Sequence, residues 1–284
     1  MDGMKGKTVL ITGADGGIGR EITRALAKKR ASIVMACIDV DAARPVCEEI
    51  KEESGNGAIE IMQLDLASLA SVRQFAGSFS ERHQQLHVLI NNAGVFCAKR
   101  QETADGFEKT MGINYLGPFL LTHLLLPVLQ KTPEARIINV SSNACAQGRL
   151  DLNNIHLKKG YQGFKAYANS KLAVVLFTLE LADRLKGSGI TVNAVHPGHV
   201  ATSIWNMWPG TWYQALLFKI IRMFARTPGD AAQNSVFLAT ADEVKGVTGT
   251  YFDGRKPKAL SPACKDVTLR RNLWALSEKL TGLA

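Results

Sequence analysis

The stretch Lys7-Thr8-Val9-Leu10-Ile11-Thr12, followed by Gly13-Ala14-Asp15-Gly16-Gly17-Ile18-Gly19 and then Arg20-Glu21-Ile22-Thr23-Arg24-Ala25-Leu26-Ala27, reads as strand, glycine turn and helix. The first run is β-rich, and Ile18, Ile22 and Leu26 share one face of the helix. Glycines at 13, 17 and 19 let the backbone approach a pyrophosphate. The helix start adds unpaired amides and the positive end of its dipole. The spacing is GxxxGxG rather than GxGxxG. A glycine-rich turn alone is often structural, but one set between a strand and a helix points to a dinucleotide site.

The same beat continues downstream. Strands are expected over 32–38, 58–64, 86–90, 136–142 and 190–195, with a last short one at 249–252. Helices are expected over 42–54, 68–82, 112–130 and from before Tyr167 to 185, with more opened by Thr227-Pro228-Gly229-Asp230 and over 266–280. Alternation of this kind implies one α/β domain: a doubly wound parallel sheet of about seven strands, covered by helices on both faces through right-handed crossovers. Ligands bind such sheets beyond the carboxyl ends of the strands, where Gly13, Asp39, Asp65 and Asn91 fall. Pro118 sits inside the helix expected over 112–130, where a kink beside a buried Asn114 would accommodate it.

Asp39 lies just past the second strand. An acid there binds the adenosine ribose hydroxyls, whereas an arginine would pair with a 2′-phosphate. Asp39, Asp41 and Asp15 are acidic, and Ile38 stands where the arginine would be, which favours NAD over NADP. The alternative is that Asp39 and Asp41 only cap the following helix.

The catalytic candidates centre on Tyr167-Ala-Asn-Ser-Lys171. Positions four apart on a helix stack on one face, so Tyr167 and Lys171 point into one place. A phenol titrates near ~10, and a fixed ammonium nearby would favour the phenolate and suit it to proton exchange with an alcohol/carbonyl pair. Ser142 closes the fifth strand. Ser141 and Ser142 both read equally as strand-end hydrogen-bonders, as Asn114 reads as a satisfier of buried backbone. His83 and His87 are four apart, but the second starts a strand and no Glu lies between them, so no metal site is expected.

Bulk properties narrow the classes. The chain has 284 residues, 46% hydrophobic and 21% charged, as in an ordinary globular protein. The formal charge of +9 is spread along it without aromatic-basic interleaving, so no nucleic-acid partner is expected and the charge is read as drawing in an anionic cofactor. Five scattered cysteines without a CxxC pair read as reduced thiols of a cytoplasmic protein. No leader, transmembrane anchor or bilayer-length apolar run is expected. Residues 199–226 are rich in Trp, Phe, Met and Ile and read as a lid over an apolar substrate, with an amphipathic peripheral membrane contact as the alternative.

Together these motifs resemble the short-chain dehydrogenase/reductase family over essentially the whole chain: TGxxxGIG at 12–19, NNAG at 91–94, the helical Asn114, Ser142, Tyr167 and Lys171, and Pro197-Gly198 with Thr202. Thr103-Ala104-Asp105-Gly106-Phe107-Glu108 and Leu185-Lys186-Gly187-Ser188-Gly189 are similar to its retinol-dehydrogenase-like branch. NADP-using members of that branch tend to carry a basic residue at the place of Ile38, and many carry an N-terminal anchor. The resemblance implies hydride transfer between a nicotinamide cofactor, NAD or NADP, and an apolar alcohol, aldehyde or ketone. It assigns Tyr167 as general acid/base and Lys171 to the phenol and the nicotinamide ribose. Ser142 would hold the substrate oxygen, and Asn114 a water relay to Lys171. It places the cofactor against Gly13, Asp15, Gly17, Ile18, Gly19, Asp39, Asp65, Leu66, Asn92, Ala93, Gly94, Tyr167, Lys171, Pro197, Gly198, Val200 and Thr202. Asp65 would meet the adenine, Asn91 the adjoining ribose region and Thr202 the carboxamide. A homo-oligomer built through the helices near 112–130 and 165–186 is also implied. The rival from another class is a non-catalytic dinucleotide-sensing regulatory or scaffold protein on the same fold.

Overall fold

A computed structural model describes residues 3–198 and 227–284. The expected lid over 199–226, with Val200 and Thr202, lies outside the described residues. The opening stretch forms β1 (Thr8–Thr12) and α1 (Gly17–Ala27), as its pattern predicts. Then come β2 (Ser32–Cys37), α2 (Val40–Ser54), β3 (Ile59–Gln63), α3 (Leu69–Arg82) and β4 (Val88–Asn91). A short α4 (Lys109–Met111) leads through a π-helical turn at Gly112–Leu116 into α5 (Gly117–Gln130). The remainder is β5 (Arg136–Val140), α6 (Gly163–Arg184), β6 (Thr191–His196), α7 (Pro228–Thr240), β7 (Thr250–Asp253), β8 (Lys256–Pro257) and α8 (Val267–Thr281).

The strands form one sheet in the order β3-β2-β1-β4-β5-β6-β7-β8. All neighbours are parallel except β7 and β8, so the expected parallel sheet gains a two-residue antiparallel edge. Side chains alternate across each strand. Leu10 of β1 enters the core under α3, α5, α6 and α8, while Val9 and Ile11 enter the core under α1, α2 and α7. The strand order reverses between β1 and β4, and this switch point opens a crevice at the strands' carboxyl ends.

The kink foreseen at Pro118 takes a particular form. Proline has no N–H for the Asn114 carbonyl four residues back. The turn widens instead, and the Gly117 N–H reaches the Gly112 carbonyl. Pro118 thus falls in the first turn of α5 rather than in a helix interior. The stretch Lys109–Gln130 is, against expectation, apolar and long enough to cross a bilayer, but 72% of its most apolar window is buried, which marks a core helix.

α8 lies over α5 and α6. Trp274 packs with Phe119, His123 and Phe177, Arg270 pairs with Glu180 and Asp183, and Tyr115 hydrogen-bonds Ser277 at 2.7 Å. Between Ala166 and Ala182, every residue of α6 except Tyr167 is buried. Part of the surface of α5 and α6 is thus packed by the chain's own C-terminal helix.

Candidate active site

The crevice is a cavity of about 340 Å³ lined by Gly13, Asp15, Gly17, Ile18, Asp65, Leu66, Asn92, Ala93 and Gly94 from the expected set. Thr12, Ile38, Val95 and Ile113 also line it. Gly13 has φ +62° and Gly17 φ +50°, a region costly for other residues. At Gly19 the reason is space: a Cβ there would meet the Gly13 carbonyl oxygen at 1.9 Å. The start of α1 has no side-chain cap and no acid in its first turn. Its amides and dipole are directed at the cavity, a setting that suits a phosphate. The close-approach glycines and the uncapped helix start fit the pyrophosphate of a nicotinamide dinucleotide.

Around the rim, Thr12 Oγ1 accepts hydrogen bonds from the Asn92 and Ala93 N–H groups, each at 3.0 Å, and Asn92 Nδ2 donates to the Thr12 carbonyl at 2.9 Å. These bonds tie the turn after β1 to the turn after β4. Asp15 faces the buried Cys37 thiol, which burial and that carboxylate push up to about 12. Asp39 caps α2 through the Ala42 N–H at 3.0 Å, the structural role weighed for it, and lies beside a 61% exposed Ile38. Asp65 Oδ1 accepts from the Ala67 N–H at 2.8 Å.

Tyr167, Lys171, Ser142 and Asn114 do converge. The Ser142 hydroxyl lies near the phenol of Tyr167, close enough to favour its charged form. Lys171 Nζ lies 5.7 Å from the Tyr167 ring centroid and donates to the Val140 carbonyl at 3.0 Å. Gly94 links the group to the cavity, because a Cβ on it would stand 3.4 Å from Lys171 Nζ and 3.3 Å from Asn114 Oδ1. Ser141 is turned the other way and donates to the Lys171 carbonyl at 3.0 Å. Asn114 Oδ1 accepts from the Val95 N–H at 2.7 Å, and its Nδ2 donates to the Val95 carbonyl and to Ser170 Oγ, both at 3.0 Å. It clamps the strand-end loop that carries Gly94.

The electrostatics correct one expectation. Lys171 was expected to draw the Tyr167 phenol down. Burial dominates instead and pushes it above its ordinary range, against the opposing effect of the Ser142 hydroxyl. Lys171 is itself pushed down to about 8 by burial, with Cys145 working the other way. A buried ammonium with a falling proton affinity is a weak lever on its neighbour.

Residues 7–210 match the family model described as short chain dehydrogenase. The chain belongs to the short-chain dehydrogenase family. This short-chain dehydrogenase is 43% identical to human retinol dehydrogenase 13 over 282 residues, 98% of this chain and 85% of that one. It is 40% identical to human retinol dehydrogenase 11 over 280 residues, 99% and 87% of the two chains. A solved structure of an uncharacterized protein from Mycobacterium paratuberculosis matches with TM-score 0.80 at 33% identity, covering 98% of this chain and 94% of that one. A chain from Escherichia coli CFT073, described as a short chain dehydrogenase complexed with NADPH, matches with TM-score 0.70 at 25% identity over 90% and 99%. The protein is an NAD(P)-dependent oxidoreductase of the retinol-dehydrogenase-like kind.

Other expected residues of this short-chain dehydrogenase fall elsewhere. Asn91 closes β4, but its side chain is buried and donates to Thr122 Oγ1 at 3.1 Å and Asn139 Oδ1 at 2.8 Å. It is a core clamp between strands and helix, not a cofactor contact; Asn92 lines the cavity instead. Pro197 and Gly198 follow β6; Gly198 has φ +99°, and the Pro197 carbonyl accepts from Asn234 Nδ2 at 3.2 Å. His83 meets Glu60 at 2.9 Å, and His87 Nδ1 accepts from the Thr8 N–H at 2.9 Å, so the two histidines serve separate neighbours. Sequence reasoning gave no site role to Thr12, Ser170 or Phe96, whose ring meets Tyr167 edge-on at 6.0 Å. A hydroxyl ending an apolar strand was a readable signal for Thr12; nothing local marked the other two.

Proposed function

We propose that this protein interconverts an apolar alcohol with its aldehyde or ketone, with Tyr167 as the group that gives or takes the proton. The observation that carries this is the convergence of Tyr167 and Lys171, with Ser142 near the phenol, beside Gly94 at the edge of the cavity. A nicotinamide dinucleotide, when bound, supplies or takes up the hydride. Ser142 would donate to the substrate oxygen and fix it against the phenol. Tyr167, its proton held by burial, is neutral at neutral pH and so serves as the acid for carbonyl reduction. Alcohol oxidation needs the phenolate and would speed up as pH rises. Lys171 and Asn114 hold the floor: one through the Val140 carbonyl at the end of β5, the other through Val95.

Asp39 at the adenosine end and the missing arginine at Ile38 support NAD as the favoured cofactor. The names of the relatives make retinol and retinal the first substrates to try. The test is turnover with NAD and NADP across a panel of apolar alcohols and aldehydes. Tyr167→Phe should lower kcat/KM by ~10²–10⁴-fold while cofactor still binds. Unchanged turnover in that variant would sink the assignment. Cofactor binding without turnover in the wild type would instead favour a dinucleotide-sensing regulator.

A further inference from the structure

The turn that carries Ser142 is held from the far end of the chain. Ser142 caps the short helical turn Asn143–Gln147, but its Oγ accepts only a 3.3 Å bond from the Ala144 N–H, too long to fix the hydroxyl firmly. The stronger hold is on its neighbour. Asn143 Oδ1 accepts from Tyr251 Oη at 3.1 Å and from Lys258 Nζ at 2.9 Å, across 108 and 115 positions of sequence. Asp253 in turn accepts from Lys258 Nζ at 2.6 Å. An ammonium can only donate, so this set of partners leaves the Asn143 amide one orientation.

The protonation states agree with that geometry. Burial works to raise the Asp253 carboxyl, yet Lys258, His196 and Asn143 outweigh it and hold it below its ordinary range. Burial, with Cys145 alongside, pushes the Tyr251 phenol well above its own, so it stays a neutral donor. Tyr251 and Asp253 lie on β7, whose register against β6 is fixed by the sheet, and Lys258 follows β8. The β7 strand and the residue after β8 therefore hold the residue next to Ser142.

We infer that Tyr251, Asp253 and Lys258 are positioning residues for Ser142, acting through the side-chain amide of Asn143. The inference rests on the hydride-transfer reading above. Misplacing a hydrogen-bond donor by about an ångström costs up to ~10²-fold in rate.

The test is steady-state kinetics with NAD and the best substrate of the panel, alongside NAD affinity and thermal unfolding. It compares wild type with Asn143→Ala, Lys258→Met and Lys258→Arg. In the first two, kcat should fall ~10–100-fold with the NAD Kd held within about twofold, and Lys258→Arg should recover most of the loss. If Asn143→Ala does not fold, Lys258→Met, whose side chain is 43% exposed, carries the comparison. A lowered melting temperature with unchanged kcat, or a parallel loss of NAD affinity, would overturn the inference and leave a merely structural brace. A wild type without turnover would remove the parent reading, and this one with it. A wild type that turns over beside an unimpaired Lys258→Met would remove this one alone.

Discussion

Replacing Lys171 by methionine separates a cost of the site from its chemistry. Lys171 is 4% exposed, and burial lowers its proton affinity from the ordinary 10.5 to about 8. At about 1.4 kcal/mol per pH unit, a charged Lys171 costs the folded state about 3 kcal/mol at neutral pH. The unfolded chain binds this proton more tightly than the folded one. Stability therefore rises with pH between about 8 and 10.5, and the full penalty is present below about 8. Lys171→Met removes the titration. It also removes the hydrogen bond to the Val140 carbonyl, a loss of ~1–3 kcal/mol that shifts the variant at every pH without changing the slope. Urea unfolding of both proteins at pH 7 and 9.5 isolates this one group by subtraction. Wild type should gain about 2 kcal/mol on the variant over that interval. A difference constant to within ~0.5 kcal/mol would refute the claim that burial lowers the proton affinity of Lys171, and the electrostatic picture of the site would need rebuilding.

Gly19→Ala forces a methyl against the Gly13 carbonyl, so the turn must shift; NAD affinity measured by calorimetry should fall at least ~10-fold, with ~1–3 kcal/mol lost in stability. Ile38→Arg adds a partner for a 2′-phosphate next to the cavity, and the KM ratio of NADP to NAD should fall by ~10-fold or more. Trp274→Ala empties the aromatic contact between α8 and the pair α5 and α6, and should cost ~3–5 kcal/mol in urea unfolding. With that cover loosened, self-association through α5 and α6 is expected in the variant more than in wild type, which sedimentation velocity would show.

Much of this protein was legible in its residues alone. Strand, glycine turn and helix at 7–27 are local signals: β-branched residues, glycines at fixed offsets and one apolar helical face. Repetition of that unit dictates a parallel sheet, because each helix must bury its stripe against the strands. The Tyr167–Lys171 spacing likewise determined that both side chains share a face. Tertiary structure alone decided what those groups meet. Asn91 and Asn92 are adjacent and identical in type, yet strand alternation sends the first into the core and the second to the cavity. The proton affinities of Tyr167 and Lys171 follow from burial, which depends on helices remote in sequence. The grip of β7 and the residues after it on Asn143, and the cover of α8 over α5 and α6, depend on contacts across a hundred positions or more, for which no local pattern carries a signal.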